Sequence, residues 1–269
     1  MLRFLLSLVA AVVLVAAIGV VALVALGLGD DDAGDSGGST GAIATPVGPT
    51  AEGTGVGSTG GPVTPAGPET AEDVLARATD AVGGITSFHF KLTHENGSTP
   101  LPLSLELESA EGDVIVPGRL RADVDAEAAG INVSVKVIGI DEETWITNPF
   151  TRSWQKLAGT NIRDFADPAA LVSGLLPSIK DPQLSAGGRV DGTQTNLVTG
   201  TIDSGALQDA LGIAEPGRTV SVEAWIGIDD KLPRRVRLTG ALSDEDDADV
   251  VRQVEITRYD EPVEIMPPE

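Results

Sequence analysis

From Ile131 the chain alternates strictly between apolar and polar residues, with Ile131, Val133, Val135 and Val137 on one face and Asn132, Ser134 and Lys136 on the other. Period-two alternation turns one face of a strand toward a core and the other toward water. Gly139 through Glu143 supplies a turn, and Glu142–Thr147 is expected as a second strand paired back on the first. Asn148-Pro149 breaks that strand, because proline donates nothing to a ladder and restricts the residue before it. Phe150–Trp154 then re-enters an extended segment ending at Leu157. Trp145 and Trp154 flank this corner, and their simplest role is to seal the core of the hairpin.

The same rhythm runs on both sides of this stretch. Phe88, Phe90 and Leu92 alternate with His89, Lys91 and Thr93; Leu101, Leu103, Leu105 and Leu107 alternate with polar residues or proline. Val114 and Val116, then Leu120, Ala122 and Val124, continue it around a bend at Pro117-Gly118. After Pro177, strands are expected at Gly188–Val190, Thr195–Ile202, Thr219–Ile228, Arg234–Leu242 and Val250–Tyr259. Three segments change to a helical period. The first carries Val74, Leu75, Ala78, Ala81 and Val82, opened by a Thr70/Asp73 capping box and ended by Gly83-Gly84. The second starts at Asp167-Pro168, sets Leu171, Leu175 and Leu176 on one face, and stops at Pro177; the third is Ser204–Leu211. About ten or eleven strands joined by hairpin-length loops predict one large antiparallel sheet in an α+β domain. A sheet of that size curls, and short helices on its concave side leave an apolar hollow.

Residues 1–68 follow other rules. Phe4–Leu28 carries no charge, is long enough to cross a bilayer, and lies between Arg3 and an Asp30-Asp31-Asp32 run. It predicts a transmembrane anchor over residues 1–29 with the rest of the chain outside the cytoplasm. A cleaved signal, with Ala25-Leu26-Gly27 as its cleavage site, is the alternative, and it would release a secreted protein. Residues 30–68 are almost wholly Gly, Pro, Ser, Thr, Ala, Val and acids, a disordered tether with a span of roughly 35 Å. Residues 69–269 form the folded domain.

Composition narrows the chemistry. Of 269 residues, 40 are acidic and 18 basic, giving a net charge of −22 that disfavours nucleic acid and anionic headgroups. With no cysteine, disulfides, thiolate metal sites and cysteine nucleophiles are excluded. His89 and His94 are five apart on a strand and face opposite ways, so they do not share a metal. The acidic run Asp244–Asp247 with Asp249 lacks EF-hand spacing and is expected as a solvated hairpin tip. No nucleophile elbow, zinc-protease, P-loop or dinucleotide motif occurs, and neither an enzyme nor a cofactor is expected.

Four stretches together resemble the LppX/LprAFG family of bacterial cell-envelope lipoproteins. They are Glu69–Thr93, with Thr86-Ser87-Phe88-His89-Phe90 at the entry to the first strand; the Glu143–Trp154 corner; Asp167-Pro168-Ala169-Ala170-Leu171; and the ending Glu255–Val263. The resemblance implies a curved half-barrel like that of the LolA and LolB carriers, with helices over its concave side. It also implies acyl-chain or glycolipid binding in the hollow. One departure is plain: the family's lipobox cysteine is missing, and Ala25–Gly29 runs straight into Asp30. The peptide span would then replace the lipid anchor. On this reading the ligand-lining residues are Phe88, Phe90, Leu103, Leu105, Val133, Val135, Leu171, Leu175 and Leu176. Ordinary core packing is the competing role for each of them. The partners expected are a hydrophobic ligand and, through Phe4–Leu28, the cell membrane. A sensor or scaffold that binds another envelope protein is the alternative function.

Overall fold

The computed structural model describes residues 69–101, 105–128, 130–157, 176–211, 214–244 and 246–269. The anchor, the tether, and the helix starting at Asp167 lie outside these residues. Among the described residues no helix is long and apolar enough to cross a membrane.

A helix, α1 (Ala71–Val82), precedes the sheet. Its Thr70 hydroxyl accepts from the Asp73 amide while the Asp73 carboxylate accepts from the Thr70 amide, the expected capping box. Val74, Leu75, Ala78 and Val82 are its buried stripe. The strands are β1 (Ser87–Glu95), β2 (Thr99–Leu101), β3 (Leu105–Ile115), β4 (Arg119–Ala128), β5 (Ile131–Ile140) and β6 (Glu143–Thr147). There follow β7 (Trp154–Leu157), β8 (Lys180–Val190), β9 (Thr193–Asp203), β10 (Thr219–Gly227), β11 (Pro233–Thr239) and β12 (Val251–Thr257). A second helix, α2 (Ser204–Leu211), links β9 to β10.

All twelve strands form one curved antiparallel sheet in the order β7-β6-β5-β4-β3-β1-β12-β11-β10-β9-β8, with β2 beside β3. The chain therefore meanders outward from β1 to one edge, and later meanders back from the other edge until β12 meets β1. Helix α1 covers the β9–β10 half of the apolar face. There Val74, Leu75 and Ala78 pack with Leu176, Ile179, Val198, Ile202, Val220 and Val222.

The sheet is larger than the alternation predicts, for physical reasons visible in two strands. Strand β3 joins two expected segments into one: a register irregularity between Leu107 and Ser109 shifts the inward phase, and Ala110 and Gly112 then carry it to Val114 without bulky side chains. Strand β8 begins eight residues before the expected Gly188, and almost all of it is exposed or half-buried. It is an edge strand without an apolar face, and its Pro182 sits within a register irregularity, where a missing donor is tolerated. Pro177 lies inside a 3₁₀ turn, Leu176–Ser178. The β5–β6 turn is tighter than expected: Asp141 takes a φ of 53°, the left-handed geometry a two-residue hairpin needs.

Two expectations are corrected. Trp145 and Trp154 do not seal the aliphatic core. They are half-buried on the opposite face, where Trp145 stands across from Ile138 and the Lys156 ammonium lies 5.7 Å from its ring centre. Nor is the acidic run wholly solvated. Asp246 is buried and pairs with the buried Arg252 at 2.6 Å.

Candidate functional site

Register and burial define one continuous apolar surface on β1 and β3–β6. Phe90, Gly112, Ala122, Val137 and Ile146 stand in line across five strands. A parallel row runs Leu92, Ala110, Val124, Val135, and another Phe88, Val114, Leu120. These side chains are at most 4% exposed. The relief of this surface follows from side-chain size. Ala110, Gly112, Ala122 and Ala126 project a methyl group or nothing, so β3 and β4 carry a low floor interrupted by Val114, Leu120 and Val124. Phe88, Phe90 and Leu92 rise on one side of it, and Val135, Val137 and Ile146 on the other.

Gly112 shows how tightly the sheet is bent there. A Cβ on it would lie 2.2 Å from the Arg121 carbonyl oxygen and 2.9 Å from Ala122 Cβ. Gly200 does the same at the far half, where a Cβ would meet Lys180 O at 2.7 Å.

The expected lining residues divide between places. Phe88 and Phe90 on β1 and Val135 on β5 lie on this face, on opposite sides of the floor, with Val133 half-buried toward the end of β5. Leu105 opens β3 opposite Ala128. Leu176 joins the α1 cluster over β9 and β10 instead. Leu103, Leu171 and Leu175 lie outside the described residues. Among the small residues of the floor, Ala122 falls in the expected alternation, while Ala110 and Gly112, in phase with Val114, carry no bulk to announce it.

One end of the apolar face carries a polar lock. Arg252 donates from Nε to Thr99 Oγ1 at 2.7 Å, and to the carbonyls of Gly240 and Ser98, besides pairing with Asp246. His94 lies 2.7 Å from the Glu108 carbonyl through Nδ1 and 2.7 Å from Thr99 Oγ1 through Nε2. A carbonyl only accepts, so Nδ1 carries the proton, and Nε2 is free to accept the Thr99 hydroxyl. Burial lowers the His94 pKa below its ordinary value, the Glu108 bond opposes this, and the Arg252 charge adds to the lowering. The lock is internally satisfied and ties β2 to β1 and β12.

The opposite face is charged. His89 points there, as its spacing from His94 predicts, and its Nδ1 lies 2.8 Å from the Asp113 carboxylate. Asp113 also accepts from Arg121 at 2.6 Å and Arg258 at 3.0 Å. Burial raises the Asp113 pKa, but the hydrogen bonds and charges of Arg121 and His89 outweigh it and hold the carboxyl below its ordinary value. Two open grooves, about 680 and 320 Å³, flank this cluster. Their linings mix both signs of charge. Among the described residues no group of acidic, histidine or cysteine side chains is arranged to hold a metal.

The family model LppX_LprAFG lipoprotein matches residues 70–265. Among solved structures, the chain is similar to LprF from Mycobacterium bovis, with 17% identity and a TM-score of 0.57, over 74% of this chain and 96% of that one. It is similar also to the lipoprotein LppX of Mycobacterium tuberculosis, with 22% identity and a TM-score of 0.52, over 72% of this chain and 99% of that one. Among curated proteins none matches the sequence.

Proposed function

The chain belongs to the LppX_LprAFG lipoprotein family, and from that premise we propose that it binds acyl lipid or glycolipid in the cell envelope, outside the cytoplasm. The ligand lies on the apolar face of the sheet, and Phe4–Leu28 holds the domain to the membrane in place of a lipidated cysteine. The observation that supports this is the low floor of Ala110, Gly112, Ala122 and Ala126 between Phe88 and Phe90 on one side and Val135, Val137 and Ile146 on the other. Such a surface offers area and shape but few directed polar groups, which suits acyl chains recognised by burial alone. Val133, Leu103, Leu105, Leu171 and Leu175 complete the lining in this proposal, while Leu176 serves the packing of α1. The protein carries or presents its ligand and performs no chemistry on it.

The test is organic extraction of the purified full chain followed by mass spectrometry. An acyl lipid is expected at a near-stoichiometric level. A lipid-free extract from protein purified without delipidating detergent overturns the reading.

A further inference from the structure

Among the described residues, Ile131, Phe150 and Met266 are the large hydrophobic side chains left exposed, at 59%, 70% and 63%. Two of them lie toward the same end of the sheet. Strand β5 runs from Ile131 to Ile140, and β6 returns antiparallel, with Val137 opposite Ile146 and Ile140 opposite Glu143. The β6–β7 hairpin beyond Thr147 therefore projects toward the Ile131 end of β5. Met266 is at the other end, because Ile265 accepts from Arg119, the first residue of β4.

Ile131 is not a stray surface residue. It shares a face with Val133, Val135 and Val137, and along that row exposure climbs from 1% at Val137 and 4% at Val135 to 59% at Ile131. The apolar face thus runs out into solvent at this end. Phe150 is carried toward the same end by a hydrogen-bonded turn. Its amide and that of Thr151 both donate to Asn148 Oδ1, at 2.9 and 3.0 Å, and the Arg152 amide donates to the Asn148 carbonyl at 2.9 Å. The turn thus presents an exposed phenylalanine at the end where the apolar face reaches solvent.

We propose that this end of the sheet, through Ile131 and Phe150, docks on a lipid bilayer surface and opens the apolar face directly to it. The inference rests on the lipid-binding reading and adds where the ligand enters and leaves. A second copy of the chain fits poorly, because a stable protein interface buries about 800 Å² on each partner. Two hairpin tips do not offer that area, whereas insertion between lipids requires only their own side chains. The net charge of −22 gives anionic lipid no advantage, so the surface is a zwitterionic one met by burial.

The absence of cysteine makes the test direct. Phe150→Cys, Ile131→Cys and Met266→Cys each accept one nitroxide label at an exposed position in the full chain reconstituted in phosphatidylcholine vesicles. Labels at 150 and 131 are expected to shift from collision with a water-soluble nickel chelate to collision with oxygen dissolved in the bilayer, while the label at 266 stays aqueous. Adding Phe150→Asp is expected to return the label at 131 to water. Nickel access at 150 and 131 equal to that at 266 overturns the docking. So does mutual broadening of labels at 150 that vanishes on dilution with unlabelled chain, which would make a second copy the occupant. The lipid reading is scored separately by extracting the chain before reconstitution: lipid in that extract with both tips in water sinks the docking alone, and protected tips with no extracted lipid keep the docking and sink the carrier.

Discussion

Replacing Gly112 by alanine tests the bend beneath the proposed ligand. The added methyl would stand 2.2 Å from the Arg121 carbonyl oxygen and 2.9 Å from both Ala122 Cα and Ala122 Cβ. The oxygen and Cα belong to backbone in the middle of a ladder, so relief requires β3 and β4 to move apart by about 1 Å, against an ordinary contact of about 3.5 Å. Overpacking of this kind costs about 1–3 kcal/mol. A Gly→Ala change also stabilises by about 0.4–1 kcal/mol, because the unfolded chain loses freedom. The clash wins, with a net loss of about 1–2 kcal/mol, or about 2–8 °C in Tm for a domain of this size. Gly84→Ala is the internal control. There the nearest atom, Ala81 O, is 3.7 Å away, so the entropic gain acts alone and Tm should hold or rise. Differential scanning calorimetry of both variants decides the matter. A Gly112→Ala protein melting at or above the parent would show that β3 and β4 are not held as closely as the geometry requires.

Four further outcomes are expected. Ala122→Leu should reduce co-purified lipid with a small change in Tm if the floor is ligand space; a loss of about 1–3 kcal/mol with lipid content unchanged would mark it as packed core. Asp246→Ala strands the buried Arg252 guanidinium and should cost about 3–5 kcal/mol in urea unfolding, and a loss under about 1 kcal/mol would contradict the buried pair. Because the folded pKa of His94 is depressed, its contribution is fully present above the unfolded value near 6.5 and is lost as pH falls through the folded value, so Tm should fall on acidification from neutral pH. His94→Gln should flatten that dependence below pH 6.5, and an unchanged slope would refute the assignment. Finally, the mature protein should retain Phe4–Leu28 and sediment with membranes, and a native N-terminus near Leu28 or Asp30 would exclude the anchor.

Alternation was readable wherever it was carried by large side chains. Phe88, Phe90, Val133 and Val135 fall on the face their spacing assigns, and Thr70 caps α1 through the box its sequence spells. Legibility failed where packing, not periodicity, decides. Ala110 and Gly112 are too small to register as a core, although their smallness helps shape the face. Strand β8 has no buried side to betray it. Asp246 reads as one acid in a solvated run because only the fold of the connecting loop brings Arg252, the second residue of β12, back onto it. Helical period puts Leu176 on one face with Leu171 and Leu175, while in the folded chain it opens a 3₁₀ turn and packs in the α1 cluster.

The pairing of β12 with β1 fixes when this protein can fold. As the polypeptide is made, β1 acquires β3 on one side early, but its other side waits for a strand whose first contact is Val251 with Glu95. Until Thr257 has emerged, the middle of the future sheet is a raw edge, with the backbone donors and acceptors of β1 open along it. Such an edge recruits any extended chain nearby. In a nascent or truncated molecule lacking its last strand, no backbone pairing joins the two halves of the sheet, and only the packing of α1 against the far half links them.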